Sequence, residues 1–240
     1  MPVKDSAIFR NIDYSYLGSD DSLQIRTATP PTRATGRFTP VPDAGTSMKP
    51  DDVLRSIERE APEKGFPIIG PVRGVFLDEV IREHHPATIL EIGTLVGYSA
   101  IRMARLLNEG SLITCVELSP DFAKVALSNV KKAGLSDRVE VLVGDAKKVL
   151  PEVNGSYDMI FLDAAKGEYL SYLKSTERLL HRGSVVVADN VKSHAEELAG
   201  YLDYVRNSGK FKSTYREAKS DHRYGAGTSV PDAVEISVRL

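Results

Sequence analysis

The sequence predicts an α/β domain in which a mostly parallel sheet carries helices on both faces, and three observations lead there. Five short runs, TILEIG, SLITCVEL, RVEVLVG, YDMIFLD and SVVVAD, are β-rich and almost continuously apolar, as strands buried on both sides should be. Helical stretches separate them: YSAIRMARLLNE, SPDFAKVALSNVKKAG, AKKVLPEV and GEYLSYLKSTERLLHRG. Strand and helix therefore alternate as parallel crossovers require. Finally, each run carries an acid at or near its end: Glu91, Glu117, Asp145, Asp163 and Asp189.

Along the chain, residues 1–46 stand apart. RTATPPTRATGRFTPVPDAGTS is rich in Thr, Pro, Ala and Gly and has no strand or helix period, which predicts an extended or flexible arm before one domain over 47–240. SMKPDDVLRSIERE then offers a capping serine, a proline near the first turn, early acids and apolar residues at helical spacing, so a helix begins there. GPVRGVFLDEVIREHH predicts a second helix burying Val72, Val75, Phe76, Val80 and Ile81. His84 and His85 at its end suit the terminal carbonyls. Lys131 and Lys132 read as a solvated helix face. After VVVADN comes a helix over HAEELAGYLDYVRNSG, whose Tyr201 and Tyr204 either pack it or contribute a homodimer contact. FKSTYREA and AVEISVRL alternate apolar and polar residues and are expected to pair antiparallel at one end of the sheet.

Bulk properties exclude several classes. The 31 basic and 33 acidic side chains nearly cancel, which removes the footprint of a dedicated DNA-binding protein or a polybasic membrane surface. The single cysteine, Cys115 in LITCVEL, rules out disulfide scaffolds and cysteine zinc sites and reads as a buried strand thiol. No apolar stretch approaches the roughly 20 residues of a membrane helix. MPVKDSAIFRNIDY lacks the apolar core of a secretory signal, so a soluble, cytoplasmic protein is expected.

ILEIGTLVGYSAIRMARLL is a strand, a glycine turn and a helix start. Gly93 and Gly97 let the backbone turn tightly and let a ligand approach the helix N-terminus. The spacing E-x-G-x-x-x-G is not the dinucleotide G-x-G-x-x-G, and Glu91 before the turn suits a cation better than a pyrophosphate. The ligand implied is a nucleoside with a positively charged tail. Glu117 ends the second strand where an acid accepts from ribose hydroxyls, and Asp145 ends the third within reach of an adenine amino group. Each alone reads equally well as a solvated strand-end acid.

Asp163 and Asp189 end the fourth and fifth strands, and Asn190 follows at once. Two carboxylates and an amide oxygen form a hard oxygen set that suits Mg²⁺ rather than zinc. Such an ion lowers the pKa of a bound alcohol or phenol. Lys166, three residues beyond Asp163, is the candidate general base, since an ammonium beside a dication and partly desolvated loses its proton more easily. Without Asp163 it would read as an ordinary exposed lysine.

Through VRGVFLDEVIREHHP, LEIGTLVGYSAIRMARLL, VELSPDFA, VGDAKKVLP, FLDAAKGEYL and VVVADNV, the chain from about Lys49 to Leu240 resembles the catechol O-methyltransferase family in order and spacing. These are small Mg²⁺-dependent enzymes that use S-adenosylmethionine. The resemblance implies a Rossmann-like class I methyltransferase fold with a mostly parallel seven-stranded sheet and an antiparallel strand near one edge. It implies Asp163, Asp189 and Asn190 as metal ligands and Lys166 as the catalytic lysine. Glu91, Gly93, Ser99 and Glu117 match cofactor contacts, with Glu117 on the ribose. Ile69 matches a residue that touches the methionine part through its backbone, Ala146 matches a small residue beside the adenine, and Asp163 also lies near the cofactor.

Three positions depart from the family. Ala226 stands where its catechol enzymes hold the second hydroxyl with a glutamate, Ala165 replaces a bulky aromatic, and His194 replaces a proline, so the grip on a flat ring is weaker. The expected reaction is methyl transfer to a metal-bound hydroxyl of a small, catechol-like phenolic substrate. Two other readings stand beside it. One is methylation of a modified nucleoside in RNA, for which the missing gate residues and the Thr/Arg-containing arm leave room. The other is a non-catalytic S-adenosylmethionine-binding module, against which Lys166 and the complete ligand set speak. His222 and Arg223 in KSDHRYGAGTS are candidate substrate contacts.

Overall fold

The computed structural model describes residues 26–27, 47–223 and 229–240. The five apolar runs form β2 (Thr88–Ile92), β3 (Leu112–Glu117), β4 (Val139–Val143), β5 (Tyr157–Leu162) and β6 (Leu180–Ala188). A two-residue strand β1 (Arg26–Thr27) and the long pair β7 (Phe211–Arg223) and β8 (Ser229–Arg239) complete a sheet of order β1-β4-β3-β2-β5-β6-β8-β7. Every pairing from β1 to β6 is parallel, and β8 runs antiparallel to both of its neighbours. The expected seven strands are thus joined by a short eighth. Apart from Arg26 and Thr27, which run along β4, the arm predicted over 1–46 lies outside the described residues.

Two hydrophobic cores cover the sheet. On one face α1 (Pro50–Lys64), α2 (Gly70–His84), α3 (Tyr98–Ala104) and α4 (Pro120–Lys132) pack on the strand residues that include Ile89, Met159, Phe161, Val185 and Val187. On the other, α5 (Ala146–Val149), α6 (Tyr169–Thr176) and α7 (Ala199–Asn207) pack on Leu90, Ile160, Leu162, Val186 and Ala188. Side chains of alternate parity face opposite cores, so the strands had to read as unbroken apolar runs. Among the described residues no helix is long and apolar enough to cross a membrane.

Several local expectations are corrected. Helix α1 opens with Pro50 at its first position and Asp51 and Asp52 in its first turn, but Ser47 does not cap it; the cap residue is Lys49, which makes no side-chain bond. A proline at that position removes one of the amides a cap would have served. In α2 the predicted buried face is rotated. Val72 and Val75 are 44% and 42% exposed, whereas Arg73 and Gly74 are buried beside Phe76, Leu77, Val80 and Ile81. The cause is charge pairing: Arg73 reaches inward to Asp189 and Asp232, and the Gly74 carbonyl accepts from Arg102 Nε at 2.8 Å. A Cβ on Gly74 would meet Arg102 Nε at 2.6 Å.

Beyond β6 the chain turns through 191–198 before α7 begins, later than the sequence suggested. The turn is held because Asp232 accepts from the backbone amides of Lys192 and Ser193 and Ala233 O accepts from Val191 N. His181 and Arg182, expected to end a helix, belong to β6, whose register against β5 shifts between Tyr157 and Met159. His85 takes the left-handed conformation that closes α2, with φ 46°. Lys131 and Lys132 are exposed on α4. Tyr201 is 1% exposed and stacks edge-on against Tyr169, which removes it from any dimer face; the hydroxyl of Tyr204 donates to Glu177 Oε2 at 2.6 Å.

Candidate active site

The order of the sheet reverses at β2, which lies between β3 and β5, and the crevice outside the carboxyl ends of the strands at such a reversal is where open α/β sheets take ligands. Pairing continues one residue past the strands. Gly93 N donates to Val116 O at 2.9 Å, Asp163 N to Ile92 O at 3.0 Å and Asp189 N to Leu162 O at 3.0 Å. Gly93, Asp163 and Asp189 are thereby set side by side at one edge. The glycine is demanded by this closeness: its φ is +90° and a Cβ would stand 2.4 Å from Asp163 O. The space a Cβ on Gly93 would take is filled by the Asp163 backbone and the Ala164 side chain, so its conformation answers to the neighbouring strand end. Gly97, at φ +81°, packs likewise against Ala126.

Glu91 is completely buried. Its described partners are neutral: Ser99 Oγ donates to Oε1, and Cys115 Sγ donates to Oε2 at 3.0 Å. Burial without a cation pushes its carboxyl up to about 7 from an ordinary 4.5. Between those two values the folded chain keeps a proton that the unfolded chain has lost. This contribution to stability is whole below pH 4.5 and is lost as the pH rises through about 7. The expected size is on the order of 3 kcal/mol. Unfolding of wild type and Glu91→Gln at pH 5 and pH 8 should show the variant gaining on wild type at the higher pH; a constant gap would refute the uncompensated charge.

Glu117 is held by backbone amides, with Leu95 N donating to Oε2 at 2.8 Å and Ser119 N to Oε1 at 2.9 Å, and burial raises its pKa. Its carboxylate is fixed at the end of β3 with lone pairs to spare for further donors. Asp145 has a structural task as well: it caps α5 by accepting from Lys147 N at 3.0 Å, and half-buried Ala146 follows it. Ile69, 1% exposed, immediately precedes the first residue of α2.

At the other end of the row, Lys166 Nζ donates to Asp163 Oδ1 at 2.7 Å and to the hydroxyl of Tyr169 at 2.8 Å. That hydroxyl donates to Asp189 O at 3.4 Å. Burial, and then the charges of Asp163 and Asp189, push the Tyr169 phenol well above its ordinary pKa, so it stays a neutral anchor for the lysine. Asp189 is 1% exposed; burial and the nearby Asp163 raise its pKa, opposed by Arg73 and Lys166. Arg73 Nε lies 3.1 Å from Asp189 Oδ1, and Arg73 Nη2 donates to Oδ2 at 3.1 Å. Asn190 has φ +62° and donates through Nδ2 to Asp232 Oδ2 at 2.8 Å.

These residues fit a hard divalent ion. Among the described residues Asp189 Oδ1 is buried and accepts no hydrogen bond of good geometry, and the Asn190 amide directs its nitrogen away to Asp232, leaving its oxygen for a ligand. Among the described residues no group of three or more His, Cys, Asp or Glu assembles. Sequence reasoning missed Arg73, Tyr169, Ser193 and Asp232. Tyr169 was within reach, being one helical turn from Lys166. Nothing local marks Arg73 or Asp232. Of the acceptor-side positions, Ala165 is exposed and half-buried His194 bonds Ser193 Oγ through Nδ1 at 2.9 Å. Ala226 lies outside the described residues, as do the side chains of His222 and Arg223 at the end of β7.

The chain is similar to known proteins in sequence and in fold. A family model described as O-methyltransferase matches residues 46–224. Catechol O-methyltransferase of Mus musculus is 37% identical over 174 residues, covering 69% of this chain and 65% of that protein, so the match spans slightly less than two thirds of its length. Catechol O-methyltransferase B of Danio rerio is 34% identical over 203 residues, covering 81% of this chain and 74% of that one. Among solved structures, an O-methyltransferase from Bacillus cereus in complex with SAH superposes with a TM-score of 0.69 at 25% identity, covering 82% of this chain and 94% of the other. With three quarters of its length matched by one model and its strand-end acids gathered at the reversal of the sheet, the chain belongs to the O-methyltransferase family.

Proposed function

We propose that the chain transfers a methyl group from S-adenosylmethionine to a hydroxyl oxygen of a small phenolic, catechol-like acceptor, with Mg²⁺ held by Asp163, Asp189 and Asn190. The observation that carries this reading is the continuous row in which Lys166 Nζ bonds Asp163 beside Asp189 and an Asn190 whose amide oxygen is free. When bound, the ion would lower the pKa of an acceptor hydroxyl.

The chain's own residues supply the rest. Glu91, poised by Ser99 and Cys115, pairs with the cofactor's ammonium and is relieved of its uncompensated burial. Glu117 accepts from the ribose hydroxyls, Asp145 and Ala146 border the adenine, and Ile69 meets the methionine portion through its backbone. Lys166, steadied by Tyr169, takes the acceptor's proton at Nζ in its neutral amine form, its own proton having first passed to solvent. The acceptor oxygen then forms a bond to the methyl carbon as the carbon–sulfur bond breaks, and sulfur keeps the electron pair. Alignment of oxygen, carbon and sulfur supplies much of the acceleration. Ala165 and His194 leave the acceptor side open to hydroxylated rings beyond plain catechol.

The test is transfer of label from methyl-labelled S-adenosylmethionine to a panel of vicinal diphenols with Mg²⁺ and with chelator. Label on the diphenol that disappears with chelator is expected. Cofactor binding by calorimetry with no labelled product from any acceptor would replace this reading with the non-catalytic module, and label in RNA alone would move the acceptor to a nucleoside.

A further inference from the structure

We infer that Asp232 is the positioning residue that gives Asn190 its metal-binding orientation, an inference that rests on the metal reading above. An asparagine amide presents either an oxygen, which can ligate a cation, or an NH₂, which cannot, and the two differ by a half-turn of the side chain. Asp232, 3% exposed, sits on β8, 42 residues further along the chain, with Oδ2 2.8 Å from Asn190 Nδ2. A carboxylate only accepts. The reversed amide would set oxygen against oxygen at a half-buried contact, which favours the rotamer with Oδ1 turned away from Asp232.

The same side chain fixes the backbone. Among the described residues Asn190 is one of three non-glycine residues at positive φ, a conformation that asparagine adopts more readily than most side-chain-bearing residues. Asp232 Oδ1 accepts from Ser193 N at 3.1 Å and Lys192 N at 3.3 Å, which ties down the turn that follows Asn190. Ser193 Oγ donates to Oδ2 at 2.7 Å, and Arg73 Nη1 lies 3.3 Å from Oδ2 while the rest of its guanidinium holds Asp189. One carboxylate thus sets the rotamer of one ligand and, through Arg73, shares the fixing of another.

The experiment measures Mn²⁺ binding to the full chain by electron paramagnetic resonance, with no substrate present. Asp232→Asn should weaken Mn²⁺ by about 10- to 100-fold, the range for lost partners of metal ligands. Cofactor affinity, measured by calorimetry, should stay within twofold. The exchanged pair Asn190→Asp with Asp232→Asn restores a donor facing an acceptor and should recover most of the binding, whereas Asn190→Asp alone should bind poorly in spite of its added negative charge. Wild-type affinity in Asp232→Asn, or no recovery in the exchanged pair, would overturn the inference. Absence of Mn²⁺ binding by wild type would instead overturn the metal reading and this inference with it.

Discussion

Lys166→Met is expected to lower kcat by about 10²- to 10⁴-fold, the usual share of a positioned acid or base, with little change in the affinity for S-adenosylmethionine. Methionine keeps the length and the apolar stem of the side chain, so the loss is confined to Nζ and its bonds to Asp163 and Tyr169. Lys166→Arg separates two roles. Arginine retains the positive charge beside Asp163 but does not give up its proton, so it should be as slow as the methionine variant if Lys166 moves the acceptor's proton. Steady-state kinetics with a diphenol decides it: an arginine variant near wild-type kcat would reduce the lysine to a counter-charge, and a methionine variant within threefold of wild type would remove it from the reaction.

Gly93→Ala is expected to be the most damaging of the glycine changes, at roughly 3 kcal/mol or more, because positive φ and steric overlap act together. The added Cβ would stand 2.4 Å from Asp163 O, and the backbone it must displace carries the carboxylate that holds Lys166. Gly110→Ala supplies the comparison. Its φ is +81°, but a Cβ there meets nothing within 4 Å, so only the conformational cost of about 1–2 kcal/mol applies. Urea unfolding of the two variants measures the difference. Equal losses would mean that the close approach of the two strand ends contributes nothing.

The two variants probe features that differed in how far the sequence announced them. The row of strand-end residues was legible because a parallel strand buried on both faces is a local pattern, and its end is marked where the apolar run meets Glu117, Asp163 or Asp189. That Gly93 is required was legible too, but its reason was not, since a turn signal says nothing about which backbone will lie beside it. The expected burial of Val72 and Val75 failed for a related cause: helical spacing marks several rotations of α2 as nearly equivalent, and the choice among them was made by a charge.

The sequence by itself determined the alternating α/β order, the antiparallel end of the sheet and the acids that border the crevice, since each follows from periodicity over ten or so residues and from where that periodicity stops. Only the tertiary structure decided what orients those acids. Arg73 and Asp232 stand 159 residues apart and meet in the interior, where a carboxylate and a guanidinium are tolerable only as partners, so neither position means anything until the other has been folded against it.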